Sequence, residues 1–296
     1  MIPTVYLNGR FVPELDARVG VYDGAFLHGA GLFETMRAEN ARVFRLEVHL
    51  ERLLRSAARL LVPIRREALP DTETFRELLD RNQLQAARIR LTVSAGSMHE
   101  GARHQGESGH TAAAPTLTVC ATAAPAAGCT RSHYESGVGV VVCGFRLSPT
   151  DPLAGHKSTC YLPRLLGLRE AMQARCMEAI WFTTNHQLAE GSISNVFIVR
   201  HGVVKTPPLD TPVLPGVARA AVLEIAPRCG FSIEETPLTI DDLLDADEVF
   251  LTNSMMQVMP VIRVEKHDIA DSRVGEVTQR LLDAYRELVR KECGEP

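Results

Sequence analysis

Residues 188–208 read "LAEGSISNVFIVRHGVVKTPP". Past Gly191 the stretch alternates apolar and polar side chains and turns at His201-Gly202, which predicts a strand at the edge of a β-sheet. Immediately before that strand stands one carboxylate, Glu190, followed by Gly-Ser-Ile-Ser-Asn. A lone acid and a run of small hydroxyl residues at the mouth of a strand call for a partner. The rest of the chain has to supply it.

At 296 residues the chain exceeds the usual one-domain size, so two domains are expected. Apolar residues at 45% and charged residues at 23% provide for a sizeable core in an ordinary globular protein. A net charge of −4 gives no basic footprint for nucleic acid. No apolar run approaches the roughly 18 residues that span a bilayer. The opening "MIPTVYLNGRFVPELD" has no charged segment leading into an apolar one, so no secretory signal is expected. The seven cysteines (Cys120, Cys129, Cys143, Cys160, Cys176, Cys229 and Cys293) are scattered and never spaced C-x-x-C. They read as reduced thiols of a cytoplasmic protein, neither a disulfide frame nor a zinc site. His99, His104 and His110 lie in a polar loop without acidic ligand spacing, so no metal is expected.

Residues 4–12, "TVYLNGRFV", predict two strands around an Asn8-Gly9 turn. A second hairpin precedes a helix over 46–61, whose apolar stripe comprises Leu46, Leu50, Leu53, Leu54, Ala57 and Leu61. A helix follows over 71–83. In "ARIRLTVSA" Ile89, Leu91 and Val93 share one strand face and Arg88, Arg90 and Thr92 the other. Residues 96–114 are rich in Gly, Ser and His without periodicity, and "PTLTVCATA" returns as a strand. The patternless 123–133 is the linker between an N-terminal domain, 1–122, and a larger C-terminal domain, 134–296. In the second half "GVGVVVCG", "EAIWFTT", 193–200 and "ADEVFLTNS" predict strands; 161–176, "GVARAAVLEIAPRCG" and 274–292 predict helices. The elements lack a regular βαβ rhythm, which disfavours a doubly wound sheet and favours two α+β domains.

Lys157 in "AGHKSTCYLPRLLG" follows a turn-rich segment, stands four residues before Tyr161, and precedes a helix with a stripe of Leu162, Leu165, Leu166 and Leu168. Taken alone a lysine is a solvated charge. Held in an apolar pocket it becomes an amine nucleophile toward a carbonyl. If that carbonyl belongs to pyridoxal phosphate, the site also needs a carboxylate for the ring nitrogen and a phosphate cup. Glu190 is the candidate carboxylate. The cup has three candidates: "LPGVAR" (214–219), a Pro-Gly turn opening a helix at Gly216, Val217 and Ala218; "LTNSMMQ" (251–257); and Arg52 on the first long helix. Each has a bland reading as a surface charge, an ordinary helix start or a loop cap. Their joint presence in this order does not.

With "YLNGRFVP", "GAFLHGAGLFETMR", "HLERLLRSA", "HKSTCY", "LAEGSISNVFIV", "LPGVAR" and "ADEVFLTNSMMQVMPV" in order, the sequence resembles, nearly end to end, the fold-type IV pyridoxal-phosphate enzymes. These comprise branched-chain aminotransferases, D-amino-acid aminotransferases and aminodeoxychorismate lyase. The resemblance implies two α+β domains of mixed α/β composition, with the cofactor in the interdomain cleft, normally in a homodimer. It implies that Lys157 bonds the cofactor and then shuttles the proton between the substrate's Cα and the cofactor's C4′. It further implies that Glu190 pairs with the ring nitrogen and Tyr161 with the phenolic oxygen. Arg52, the Val217 and Ala218 amides at Gly216, and Ser254 would bind the phosphate, with Ser194 and Asn195 beside the cofactor. Where the family often has threonine this chain has Ala218, which removes one side-chain contact.

The same resemblance implies a substrate pocket of His28, Thr35, Arg88, Arg90, Met255 and Met256. Arg90 matches an arginine of the branched-chain enzymes. Arg88 and His28 stand where those enzymes have an aromatic and a tyrosine, which makes this pocket more polar. Ala95 replaces an arginine common in the D-amino-acid enzymes and the lyase, while Thr35 and "MMQVMPV" look lyase-like. The expected activity is transamination between an amino acid, branched-chain or glutamate, and a 2-oxo acid. Aminodeoxychorismate lyase, a D-amino-acid transaminase and a non-catalytic binding homologue remain the alternatives.

Overall fold

The computed structural model describes residues 2–98, 117–126 and 129–294. The predicted loop 96–114, with His99, His104 and His110, lies almost wholly outside them. The chain divides into two compact units. Unit one is Met1–Ala127 with Lys157–Tyr161 and Cys293–Pro296; unit two is Gly128–His156 with Leu162–Glu292.

In unit one, β1 (Thr4–Leu7) and β2 (Arg10–Pro13) form the hairpin expected around Asn8-Gly9. Both turn residues are left-handed, with φ of 48° and 83°, the geometry that matches strand twist in a two-residue hairpin. The short helix α1 (Gly24–His28) follows, N-capped by Asp23. Next come β3 (Gly31–Glu39), β4 (Arg42–Val43), α2 (Leu46–Arg59), α3 (Thr72–Arg81), β5 (Ala87–Ser94) and β6 (Thr118–Pro125). The six strands lie in the order β2-β1-β6-β5-β3-β4. Ile89, Leu91 and Val93 of β5 join Leu50 and Leu53 of α2 in one core, as the strand and helix periodicities predict, and Phe75 and Leu78 of α3 complete it. The opposite sheet face carries Phe33, Thr35 and Arg37 of β3, in register with Thr92, Arg90 and Arg88 of β5. The segment 157–161 is tied to β3: Phe33 N–H donates to Lys157 O at 2.9 Å, and Thr159 N–H donates to Gly31 O at 2.9 Å.

Unit two contains α4 (Arg131–Ser136), β7 (Val138–Leu147), α5 (Leu162–Gln173), β8 (Glu178–Thr183), β9 (Leu188–Gly191), β10 (Asn195–Arg200) and β11 (Val203–Thr206). It continues with α6 (Val217–Arg228), β12 (Ser232–Glu235), α7 (Ile240–Leu244), β13 (Glu248–Asn253), β14 (Gln257–Val264), β15 (His267–Asp268) and α8 (Glu276–Cys293). The strand path is β12-β11-β10-β13-β14-β7-β8-β9, and β9 also pairs with β10. That pairing closes β10, β13, β14, β7, β8 and β9 into a ring. Val140, Ile180, Leu188, Val196, Ile198 and Leu251 are among the side chains that fill it.

Two expectations change here. The strand after Gly191 is no edge: β10 pairs with β13 on one side and with β11 and β9 on the other, and Asn195–Val199 are all buried. Its Val-Phe-Ile-Val run is the continuous apolar pattern of a strand covered on both faces, and that outweighs the alternation around it. The leucine stripe of α5 also does not form a pocket. Leu162, Leu165 and Leu166 are 60%, 43% and 36% exposed, while Gly167 and Ala171 face the ring. A Cβ on Gly167 would lie 2.6 Å from Ser192 Oγ and 3.1 Å from Trp181, so the small-residue face is the one that lets the helix approach.

Candidate active site

In unit one the chemistry gathers around Phe33. The Lys157 ammonium lies 4.6 Å from the Phe33 ring centroid and 5.6 Å from that of Tyr161. Tyr161 meets Phe33 edge-on at 5.0 Å. The Arg90 guanidinium carbon sits 3.8 Å from the same Phe33 centroid. One buried ring thus holds two cations, each favoured by the negative face of the π-system. Arg90 Nε also donates to Thr92 Oγ1 at 3.1 Å. Burial holds Arg90 below its usual value, and neighbouring Arg88 adds to the effect. Arg88 is exposed and stands directly opposite Arg37, which is bonded to Glu39 at 2.7 Å. Like charges opposed across a ladder are unfavourable, so this face is biased toward anions. Thr35, opposite Arg90, shares it.

Arg52 lies on the core side of the same sheet. It grips Glu34 with two hydrogen bonds, Nε to Oε1 at 2.9 Å and Nη2 to Oε2, and His49 Nδ1 is 2.8 Å from Oε2. Burial pushes Glu34 up, but the Arg52 charge and the bonds from His49 and Arg52 outweigh it and hold the carboxyl at about 2. Burial lowers His49, which favours the neutral imidazole. The structure does not bring His28 into this cluster: its side chain is exposed on α1, and its carbonyl accepts from Cys160 Sγ at 3.7 Å.

In unit two, Glu190 is placed by a bulge. Ile180 pairs with Gly191 and Phe182 with Leu188, with a register shift between them, so Ala189 and Glu190 both stand opposite Trp181. A bulge re-aims a side chain, and Glu190 leaves the ring interior for the outer face. There Oε1 accepts from Arg164 Nη2 at 2.5 Å and Oε2 from the Leu214 N–H at 2.8 Å. Arg164 also donates to Gly191 O at 3.2 Å and stacks 5.0 Å from the Trp181 centroid. In register across three strands, Glu190, Asn195 and Thr252 form a polar row on this outer face. Asn195 Nδ2 donates to Leu214 O at 2.9 Å, which draws the segment ahead of α6 onto the row.

Gly216 caps α6 without any side-chain bond to the first-turn amides, and Val217 and Ala218 are buried. A Cβ at Gly216 would fall 2.0 Å from Asn195 Oδ1, so only glycine allows this approach. Thr252 Oγ1 is buried without a partner, one of two such side-chain atoms among the described residues. Ser254 and Met255 follow at the end of β13, where Asn253 Oδ1 accepts the Met255 and Met256 N–H groups at 2.8 and 2.6 Å. Met256 packs in the ring core, not on the outer face. The Ser194 hydroxyl donates to Glu178 Oε2 at 2.9 Å.

These groups fit pyridoxal phosphate. In unit one an amine lodged over aromatic rings matches its aldehyde; in unit two a buried carboxylate beside a guanidinium matches its ring nitrogen, and an uncapped helix start and an unpartnered threonine hydroxyl match its phosphate. Among the described residues no cluster of His, Cys, Asp or Glu can hold a metal ion. Sequence reasoning missed Glu34, His49, Arg164, Glu178 and Thr252. Glu178 had a visible signal: a carboxylate opening the apolar strand "EAIWFTT" is a residue type seldom buried unless paired.

Comparison with known proteins agrees. The model of the family "Amino-transferase class IV" matches residues 31–264. A Methanocaldococcus jannaschii protein assigned as a branched-chain-amino-acid aminotransferase is 35% identical over 292 residues, covering 97% of this chain and 96% of that one. The crystal structure of the Escherichia coli branched-chain amino acid aminotransferase superposes with a TM-score of 0.86 at 28% identity, over 100% of this chain and 97% of that one. The T.th. branched-chain amino acid aminotransferase solved with pyridoxamine 5'-phosphate gives 0.85 at 27% identity, over 99% and 95%.

Proposed function

The chain belongs to the class IV aminotransferases, enzymes that use pyridoxal 5'-phosphate, and from that premise we propose that it moves an amino group between a branched-chain amino acid or glutamate and a 2-oxo acid. The observation that carries this reading is the Phe33 cluster, in which the Lys157 amine and the Arg90 guanidinium share one ring. Bound pyridoxal phosphate supplies an electron sink for the pair left when the amino acid's Cα–H bond breaks. Lys157 Nζ takes that proton, and Phe33 and Tyr161 keep the amine in place. Tyr161 Oη donates to the phenolic oxygen. Glu190, oriented by Arg164 and the Leu214 amide, holds a proton on the ring nitrogen. Arg52, the α6 amides at Gly216, Val217 and Ala218, and Ser254 bind the phosphate. Asn195 anchors the segment that carries those amides, and Ser194 acts through Glu178. Arg88 and Arg90, with Thr35 opposite Arg90, attract the substrate's carboxylate.

The reading extends to a homodimer in the cytoplasm. The outward apolar face of α5 (Leu162, Leu165, Leu166, Met172) supports a second copy as its cover, and the seven free cysteines support a reducing compartment. A monomer by light scattering would remove the dimer.

The test is a panel of L- and D-amino acids added to the yellow holoenzyme. An L-branched-chain amino acid or L-glutamate should bleach the absorbance, and a 2-oxo acid should restore it. Borohydride should fix the cofactor to the wild type but not to Lys157→Ala. If only D-amino acids bleach the band, the substrate assignment fails. If none does while aminodeoxychorismate yields 4-aminobenzoate, the enzyme is the lyase.

A further inference from the structure

Glu178 opens β8 and is fully buried on the inner side of the ring. Every donor around it belongs to its own strand start or to the β9–β10 turn. Oε1 accepts from Ala179 N–H at 3.0 Å and Ser192 N–H at 3.1 Å; Oε2 accepts from Ile193 N–H at 3.1 Å and Ser194 Oγ–H at 2.9 Å. The turn is closed by Gly191 N–H donating to Ser194 O at 2.7 Å. Its amides point inward as a nest, and only an acceptor without hydrogens satisfies four converging donors.

We propose that Glu178 is a positioning residue for Glu190: from inside the ring it fixes the 191–194 turn, and through that turn it fixes the carboxylate on the outer face. The linkage is short. Glu190 precedes Gly191 directly, and Arg164 donates from one guanidinium to both Gly191 O and Glu190 Oε1. Ser192, held by Glu178 through its amide, accepts from Trp181 Nε1 at 2.8 Å, and Trp181 is the ring on which Arg164 stacks. A shift of the turn therefore moves the peptide, the guanidinium and the carboxylate together. Gly191 is part of the device. A Cβ there would lie 2.9 Å from Glu178 Oε2 and 2.2 Å from Ser194 Oγ, which would lever the turn away.

The proposal rests on the transaminase reading only in taking Glu190 as the partner of the cofactor ring. Its test therefore reads cofactor binding, not turnover. In Glu178→Gln, compared with the wild type at pH 8 where the carboxyl has lost its proton, the amide places hydrogens among donors, so the turn must rearrange while the ring core persists. The dissociation constant of pyridoxal phosphate, followed by fluorescence, should rise roughly tenfold or more. The midpoint pH of the bound cofactor's absorbance change should also move, because the ionisation it follows, at the nitrogen joining Lys157 to the cofactor, depends through the conjugated ring on whether the ring nitrogen keeps its proton. A residue that merely stabilised the fold would lower the melting temperature without moving the midpoint. Gly191→Ala strains the same contact from the other side and should move the midpoint in the same direction; the double variant should be less than additive. It also serves as the test if Glu178→Gln does not fold. Wild-type affinity and midpoint in a folded variant would overturn the proposal. A wild type that binds no pyridoxal phosphate would instead overturn the functional reading on which it rests.

Discussion

Each unit buries a carboxylate at the root of its functional residues, and the two behave oppositely. Glu34 in unit one sits against Arg52 and is held at about 2. Glu178 in unit two sits among backbone amides and a hydroxyl, and burial pushes it up to about 7 even though those hydrogen bonds pull the other way. Burial opposes charge in both. A full positive charge in contact outweighs that desolvation, whereas four neutral donors do not. The lesson concerns construction. Unit one orients its candidate phosphate-binding arginine with an ion pair, and unit two orients its candidate ring-nitrogen carboxylate with a loop wrapped around an acceptor.

The sharpest way to break this comparison is to remove each carboxylate. Glu34→Ala leaves Arg52 buried without its counter-ion and should destabilise the protein by about 3–5 kcal/mol, read from urea denaturation. Glu178→Gln removes no counter-ion, since no ion pair joins Glu178 to any described residue. Its global stability near pH 8 should stay close to wild type while cofactor binding suffers. Equal losses in the two variants would erase the distinction.

Titration sharpens the same contrast, because the two shifts have opposite signs. Glu34 is lowered from 4.5 to about 2, so its contribution is complete above pH 4.5 and is lost as pH falls toward 2. Glu178 is raised from 4.5 to about 7, so its contribution is complete below pH 4.5 and is lost as pH rises through 7. Each shift corresponds to a slope totalling on the order of 3 kcal/mol. Unfolding free energies measured from pH 2 to 8 should show the acid limb flattened in Glu34→Gln and the 4.5–7 limb flattened in Glu178→Gln. A limb that survives its own variant would refute that assignment.

What the sequence made legible follows from range. The Asn8-Gly9 hairpin, the α2 stripe from Leu46 to Ala57 and the two faces of β5 are local patterns, and the structure carries each of them; Leu61, the last of the expected stripe, lies past the helix end and is 89% exposed. So are Lys157 and Glu190 as chemical types in a recognisable order. The bulge that turns Glu190 outward is not local: it is a mismatch between β8 and β9, visible only once Trp181 is seen opposite two residues. Arg52 was legible as a cation, yet its bond to Glu34 crosses 18 positions, and Arg164 reaches Glu190 across 26. The leucines of α5 misled for a related reason. Helical spacing names an apolar face but does not say which face the neighbours accept, and here Gly167 decided it.

The smallest effect tests satisfied against unsatisfied groups on the outer face of unit two. Glu190 and Asn195 in the polar row are both bonded, but Thr252 Oγ1, in register with Asn195, has no partner. A buried hydroxyl without a bond costs free energy, and valine has nearly the same shape without it. Thr252→Val should therefore leave the cofactor-free protein unchanged or stabilise it by up to about 1 kcal/mol, measured by thermal denaturation. Adding pyridoxal phosphate should reverse the order. If the hydroxyl is held in reserve for the cofactor beside the α6 start, the variant should gain less in melting temperature from the ligand than the wild type does. An equal gain in both would show that Thr252 is only an unpaired group in the sheet, and that the row which matters ends at Asn195.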